Sequence, residues 1–446
     1  MDLELKNKLK KITWPILVEM ILMSLLGSMD IFMLGKYSDN AVAVVGIINQ
    51  LVWMINLAFC ITTAGTSVLL TQYLGAKKSG DDIVQICGIS IGLNGILGII
   101  LSVLVVGTGK GLFHLLNTPL ELIELGNGYM QIIVGCSFVI AIMMTFTAIL
   151  RAHGLTKICM KITLIMNGIN IIGNYCLIFG KFGFPELGVS GAAIATTFSR
   201  IVALIILGYQ VYKLVLHKLT IKIVKNFSKE HFSNIVKIGI PTVGEQFSYN
   251  ITQLIITSFI NTMAISSIAT KGYINNIIFL SFMFSAAVGQ GASIVIGQLI
   301  GEGEGDKAYE LYRYSIKISM IITVVESFVL VFLGRVILGF FTDNEAIITL
   351  GVIILVIDVL LEPGRAMNLV GINGIRATGD VKYPVYIAIF SMWIFAVGLA
   401  YFLGIVLKLG LPGIWIAFAV DEWVRGILIY KRWKSRKWVT KLLQQI

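Results

Sequence analysis

Apolar runs long enough to cross a bilayer recur from one end of this chain to the other, and nothing else in it restricts the fold so tightly. A hydrocarbon core about 30 Å thick is crossed by roughly 20 apolar residues of helix. Reading the apolar runs and their breakers gives twelve helices, over 12–34, 41–74, 83–106, 122–150, 158–179, 188–212, 238–260, 267–300, 309–333, 346–375, 383–405 and 411–430. Several exceed 25 residues and must tilt, bend at glycine or protrude. The composition agrees, with 57% hydrophobic residues, 13% charged residues and a mean hydropathy of +0.88. A soluble domain carries about twice that share of charge. The opening "MDLELKNKLKKITWPI" lacks a signal-peptide cleavage pattern, so the first apolar run is expected to stay as an anchor.

Where the charges lie gives the orientation. With the N-terminus placed in the cytoplasm, 25 Lys and Arg residues fall at cytoplasmic helix ends and in the 213–237 linker, against six on the other side. The positive-inside rule then sets both termini in the cytoplasm of a multi-pass plasma (inner) membrane protein. This bias also accounts for the net charge of +11 without a nucleic-acid partner, because no soluble domain gathers the cations. The five cysteines stand singly, which argues against disulfides or a zinc site. The four histidines (His114, His153, His217, His231) show no HExxH spacing. "GTGKG" (107–111) lacks the phosphate-loop spacing, and no residue set at membrane depth suggests an enzyme.

The chain repeats itself about 226 residues on. "WPILVE" (14–19) answers "IPTVGE" (240–245), setting Pro15 over Pro241 and Glu19 over Glu245. "GIINQ" (46–50) answers "GYINN" (272–276), and "TQYLGAKKSGDD" (71–82) answers "GQLIGEGEGDKA" (297–308). "LRAHGLTK" (150–157) matches "IRATGDVK" (375–382), pairing Arg151 with Arg376. We expect an all-α membrane protein of twelve transmembrane helices in two six-helix bundles, 1–212 and 238–446, joined by the basic linker 213–237. Six helices per half is even, so a pseudo-two-fold axis along the membrane normal relates the bundles. Parallel repeats of this kind build alternating-access transporters with a site between halves.

These motifs, with "DIFMLG", "AVAVVG", "GINIIGNYCLIFG…PELGVSGAAIAT" (168–196) and "RATGD" (376–380), resemble the multidrug and toxic compound extrusion (MATE) family over nearly the whole chain. The resemblance implies an antiporter that exports cationic or amphipathic small molecules against an inward H⁺ or Na⁺ gradient, with no cofactor beyond the coupling ion. Such a chain is expected to work as a monomer in the lipid bilayer. A flippase for lipid-linked oligosaccharide precursors shares the wider architecture. It would need several cavity cations, and only Arg200, Lys317, Arg365 and Arg425 fall inside the spans.

Intramembrane acids are costly and usually functional. Asp30, near the outer end of the first span, reads from composition equally as a solvated helix end. The resemblance instead assigns it to cation coupling, together with Asn170, Asn174 and Thr196, and to a Na⁺ site if Na⁺ is the ion. Asn174 stands where Na⁺-binding members carry an aspartate, which weakens a hard-cation site by one charge. Without the resemblance, Asn170 and Asn174 read as interhelical hydrogen-bonding residues. The second half offers Glu245, Asp358, Glu362 and Arg365 as secondary candidates, with Glu362 and Arg365 spaced to neutralise each other. The sequence spaces Asp421 and Glu422 to pair with Arg425, assigns no role to Glu326, and gives the repeated acids Glu19 and Glu245 a packing or gating role at least as much as cation binding.

Overall fold

The structure, a computed structural model, describes residues 2–109, 111, 113, 118–218 and 228–439. His114, Lys110 and the centre of the basic linker (219–227) lie outside the described residues. The described residues form thirteen helices. In the first half these are α1 (Leu3–Tyr37), α2 (Asp39–Gly75), α3 (Gly80–Thr108), α4 (Leu120–Gly135), α5 (Ser137–Ala152), α6 (Thr156–Phe179) and α7 (Gly188–Leu214). The second half has α8 (Lys229–Asn261), α9 (Ile265–Gly301), α10 (Gly305–Gly339), α11 (Glu345–Ala377), α12 (from Lys382, widening into π-helical turns through Val406) and α13 (Gly410–Lys434).

Twelve expected spans become thirteen helices because 122–150 is broken. The backbone leaves helical geometry at Cys136 (φ −100°, ψ 22°), and α4 and α5 meet at 40°. The Ser137 hydroxyl at the bend lies 2.9 Å from that of Ser102 on α3, so a polar group stays satisfied there. Among the described residues nine helices are long and apolar enough to cross a membrane, and the α4–α5 pair makes a tenth. The other two, α8 and α13, carry acids and amides inside the apolar run, such as Glu245 and Asn250, or Asp421 and Glu422.

Two compact units divide the chain as Val18–Val243 and as Met1–Leu17 with Gly244–Ile446. The cuts between these units fall inside α1 and α8, 226 residues apart. Each unit therefore includes the opening segment of the other half's first helix. Within the first unit, the start of α8 crosses α2 so closely that a Cβ on Gly65 would lie 2.3 Å from the Ile235 carbonyl oxygen. One on Gly239 would lie 1.9 Å from that of Ile61. Within the second, a Cβ on Gly291 of α9 would meet Thr13 Oγ1 of α1 at 2.2 Å. Small residues allow such backbone approaches, the usual way helices associate where lipid gives no hydrophobic drive.

In the first unit α2 packs on α3 and α5, and α7 on α6, α5 and α4. Met33, Val44, Ile48, Phe59 and Tyr129 share its core. In the second unit α11 is central, touching α9, α10 and α13, with Ile274, Leu338, Leu361 and Trp415 in the core. At one end of this unit Tyr312 stacks on Trp433 at 4.0 Å and Trp433 on Trp438 at 4.5 Å.

Candidate functional site

Asp30 lies in the last third of α1, one face of which meets α6. Its carboxylate is 8% exposed although its helix neighbours Ile31 and Phe32 face outward. The Asn174 amide donates to Asp30 Oδ1 at 2.5 Å, and the Thr196 hydroxyl donates to Oδ2 at 3.3 Å. Asn170 donates to Thr196 Oγ1 at 3.0 Å and accepts from Asn174 at 3.2 Å. One acid, two amides and one hydroxyl thus close into a ring that ties α1, α6 and α7 together. Asn170 and Asn174 are fully buried. The four residues singled out from sequence for the first half are brought together, and the solvated-helix-end reading of Asp30 is excluded by its burial.

The ring has one open acceptor. Both Asn174 donors are committed, while its Oδ1 is buried with no hydrogen-bond partner among the described residues. Around that atom the donor set is entirely oxygen: a carboxylate, two amide carbonyls and a hydroxyl. Hard cations take oxygen ligands, carboxylate first. This set fits a monovalent hard cation, and a proton on Asp30 needs fewer partners still.

Three neighbours were not assigned to this site from the sequence, although Arg200 was counted among the cations inside the spans. Asn167, one turn before Asn170, donates to the Leu22 carbonyl at 2.8 Å and so pins α6 to α1. Arg200, one turn after Thr196, acts electrostatically on Asp30, as does Asp30 on Tyr129 of α4. The spacings 167/170/174 and 196/200 each mark a single helix face, which is the signal that would have found Asn167 and Arg200.

The second-half candidates occupy a different arrangement. Glu245 pairs with Arg376 at 2.5 Å. Glu362 and Arg365 pair one helical turn apart on α11, as their spacing suggested. Arg365 also approaches Glu422 at 3.8 Å, and Arg425 holds both Asp421 at 2.5 Å and Glu422 at 3.0 Å. Asn368 donates to Glu422 at 2.7 Å and Ser391 to Asp421 at 2.6 Å. Asp358, 1% exposed, lies one turn before Glu362 on α11 and interacts electrostatically with the Glu362–Arg365 pair, although neither of its carboxylate oxygens makes a hydrogen bond among the described residues.

Comparison with known proteins places this geometry. The family model MatE matches twice, over residues 15–176 and 241–402, again 226 residues apart. An uncharacterised transporter, YisQ, from Bacillus subtilis (strain 168) is 40% identical over 96% of this chain and 94% of its own length. A probable multidrug resistance protein NorM from Thermotoga maritima is 28% identical over 98% of this chain and 93% of its own. A crystal structure of MATE in the bent conformation aligns with TM-score 0.88 at 21% identity, covering 99% of this chain and 96% of that one. The outward-facing structure of a multidrug resistance MATE family transporter of the MOP superfamily aligns with TM-score 0.87 over 98% and 96%. Two MatE repeats in register with the internal duplication, and full-length relatives on both sides, identify the chain as a multi-pass membrane transporter belonging to the MATE family.

Proposed function

We propose that this transporter exports organic cations or amphipathic drugs and metabolites by alternating access, driven by inward H⁺ or Na⁺, with Asp30 as the coupling group. The observation that carries this reading is the carboxylate of Asp30, buried and hydrogen-bonded by Asn174 and Thr196. A single acid in a poorly hydrated place can be neutralised by an entering ion or by positively charged cargo, and the two compete. Asn174 suits a group that changes charge. Its amide donates to the ionised carboxylate, and turned by a half rotation it accepts from the protonated one. An ionised aspartate at that position would offer no donor.

Asp358, buried one turn from Glu362 and without a hydrogen bond among the described residues, is the second-half residue best placed to join this chemistry, whereas Glu362 is held by Arg365. The flippase alternative has less support. Arg365 and Arg425 are engaged by acids, which leaves few cations for a pyrophosphate, and named relatives are multidrug resistance proteins. The bias of 25 basic residues against six supports cytoplasmic termini in a plasma membrane.

The test is efflux of a fluorescent organic cation from loaded vesicles with the Na⁺ and pH gradients imposed one at a time. Wild-type protein exports under at least one gradient, and Asp30→Asn abolishes gradient-driven export while the protein still inserts. Unchanged export by that variant removes Asp30 from the mechanism. Export that requires ATP and ignores both gradients removes the antiporter reading.

A further inference from the structure

The second unit has a crevice of about 700 Å³ between α10, α11 and α13, away from the ion pairs described above. Along α10 its lining passes from polar residues (Glu310, Arg313, Tyr314, Lys317) to apolar ones (Met320, Ile321). Arg313 and Lys317 are one turn apart on the same face, about 6 Å along the axis. Both side chains are exposed, and neither forms an ion pair among the described residues. Tyr314 stands between them, and the ammonium of Lys6, from the α1 segment belonging to this unit, sits 5.4 Å from its ring centre. Tyr430 of α13 also lines the crevice. One turn further, Met320 and Ile321 with Met367 of α11 begin the apolar stretch of the helix.

Cations and phenols at one level, and an apolar groove directly beneath, match a molecule with a phosphate head and a hydrocarbon tail. Lys317 can bury its stem along the groove and keep its charge at the head level. Basic pockets between spans on the positively charged side of a membrane protein take anionic lipid head groups. Glu310 also lines the rim and its charge opposes a bare phosphate. We infer that this crevice is a binding site for an anionic glycerophospholipid, such as phosphatidylglycerol, in the leaflet at the basic end of α10. The inference does not depend on which ion or cargo the transporter uses.

Native mass spectrometry of the full-length protein, released from micelles holding equal phosphatidylglycerol and phosphatidylcholine, tests it. The wild type retains phosphatidylglycerol at least about fivefold over phosphatidylcholine. In Arg313→Gln/Lys317→Gln retention falls roughly tenfold or more, as expected when two cations leave the site. Arg313→Lys/Lys317→Arg keeps the preference. A matched control, Lys157→Gln/Lys161→Gln, removes two exposed cations at the same spacing on α6 and leaves retention unchanged. Equal loss in both glutamine pairs would show diffuse attraction and overturn the site. So would the lack of any preference in the wild type. Displacement of the lipid by millimolar inorganic phosphate or glycerol phosphate would reassign the crevice to a soluble anion.

Discussion

Glu19 of α1 meets Arg151 of α5 at 2.9 Å, and the pair one repeat later, Glu245 of α8 and Arg376 of α11, meets at 2.5 Å. Both acids follow a helix-interior proline by four residues, Pro15 and Pro241. Proline removes one backbone hydrogen bond and loosens the helix at that turn. An ion pair just beyond it fixes the direction in which the helix continues. The duplication has kept both the weak turn and its tether.

A double-mutant cycle measures the tether. Glu19→Gln and Arg151→Gln should each lower the thermal unfolding midpoint of the detergent-purified protein. The double variant should lose less than the sum, with a coupling of about 1–3 kcal/mol. The Glu245–Arg376 cycle should give the same sign. Strict additivity in both would mean that the contacts are incidental.

If Na⁺ is the coupling ion, the amide at Asn174 limits the charge that holds it. Asn174→Asp places a second carboxylate against Asp30, at the 2.5 Å contact now made by the amide. In choline chloride the variant should unfold at lower temperature than the wild type, through like-charge repulsion. In NaCl it should recover more than the wild type does. A ligand at a hundred times its Kd adds about 2.7 kcal/mol. Equal responses to NaCl in both proteins would contradict an ion site at these oxygens.

The helix crossings predict a contrast between two glycines five residues apart on α8. Gly239→Ala sets a methyl 1.9 Å from the Ile61 carbonyl, backbone that cannot swing aside, so the loss should be about 3 kcal/mol or more. Gly244→Ala has nothing within 4 Å of its new Cβ and should be neutral or stabilising by up to about 1 kcal/mol. Monodispersity on gel filtration and the unfolding midpoint distinguish them. Similar behaviour of the two would refute the close crossing.

The spans were legible because lipid imposes a length and an apolar composition that a sequence displays directly. The duplication was legible because short motifs recur in order at one offset. The break at Cys136 was legible only as the expectation that long runs bend at glycine: the run holds Gly126, Gly128 and Gly135 and no proline, so its place was not marked. Nor were the unit boundaries. The basic linker looks like the natural division, while the contacts exchange the opening segments of α1 and α8. Asp30, Asn170, Asn174 and Thr196 were reached through resemblance. Composition alone shows isolated polar residues in apolar helices and says nothing of which helix each one faces. Glu19 and Arg151 were each matched to a repeat partner, yet their contact spans more than a hundred residues and needed coordinates.

The crossings at Gly65, Gly239 and Gly291 also bear on how such a chain can diversify. A site that must accept new cargo changes by exchanging the side chains that line it, and helix faces tolerate that freely. Where two backbones already touch there is nothing to exchange. A saturation library should therefore show sharp intolerance at these glycines amid permissive neighbours. Directed evolution of cargo range should leave them untouched in every successful variant.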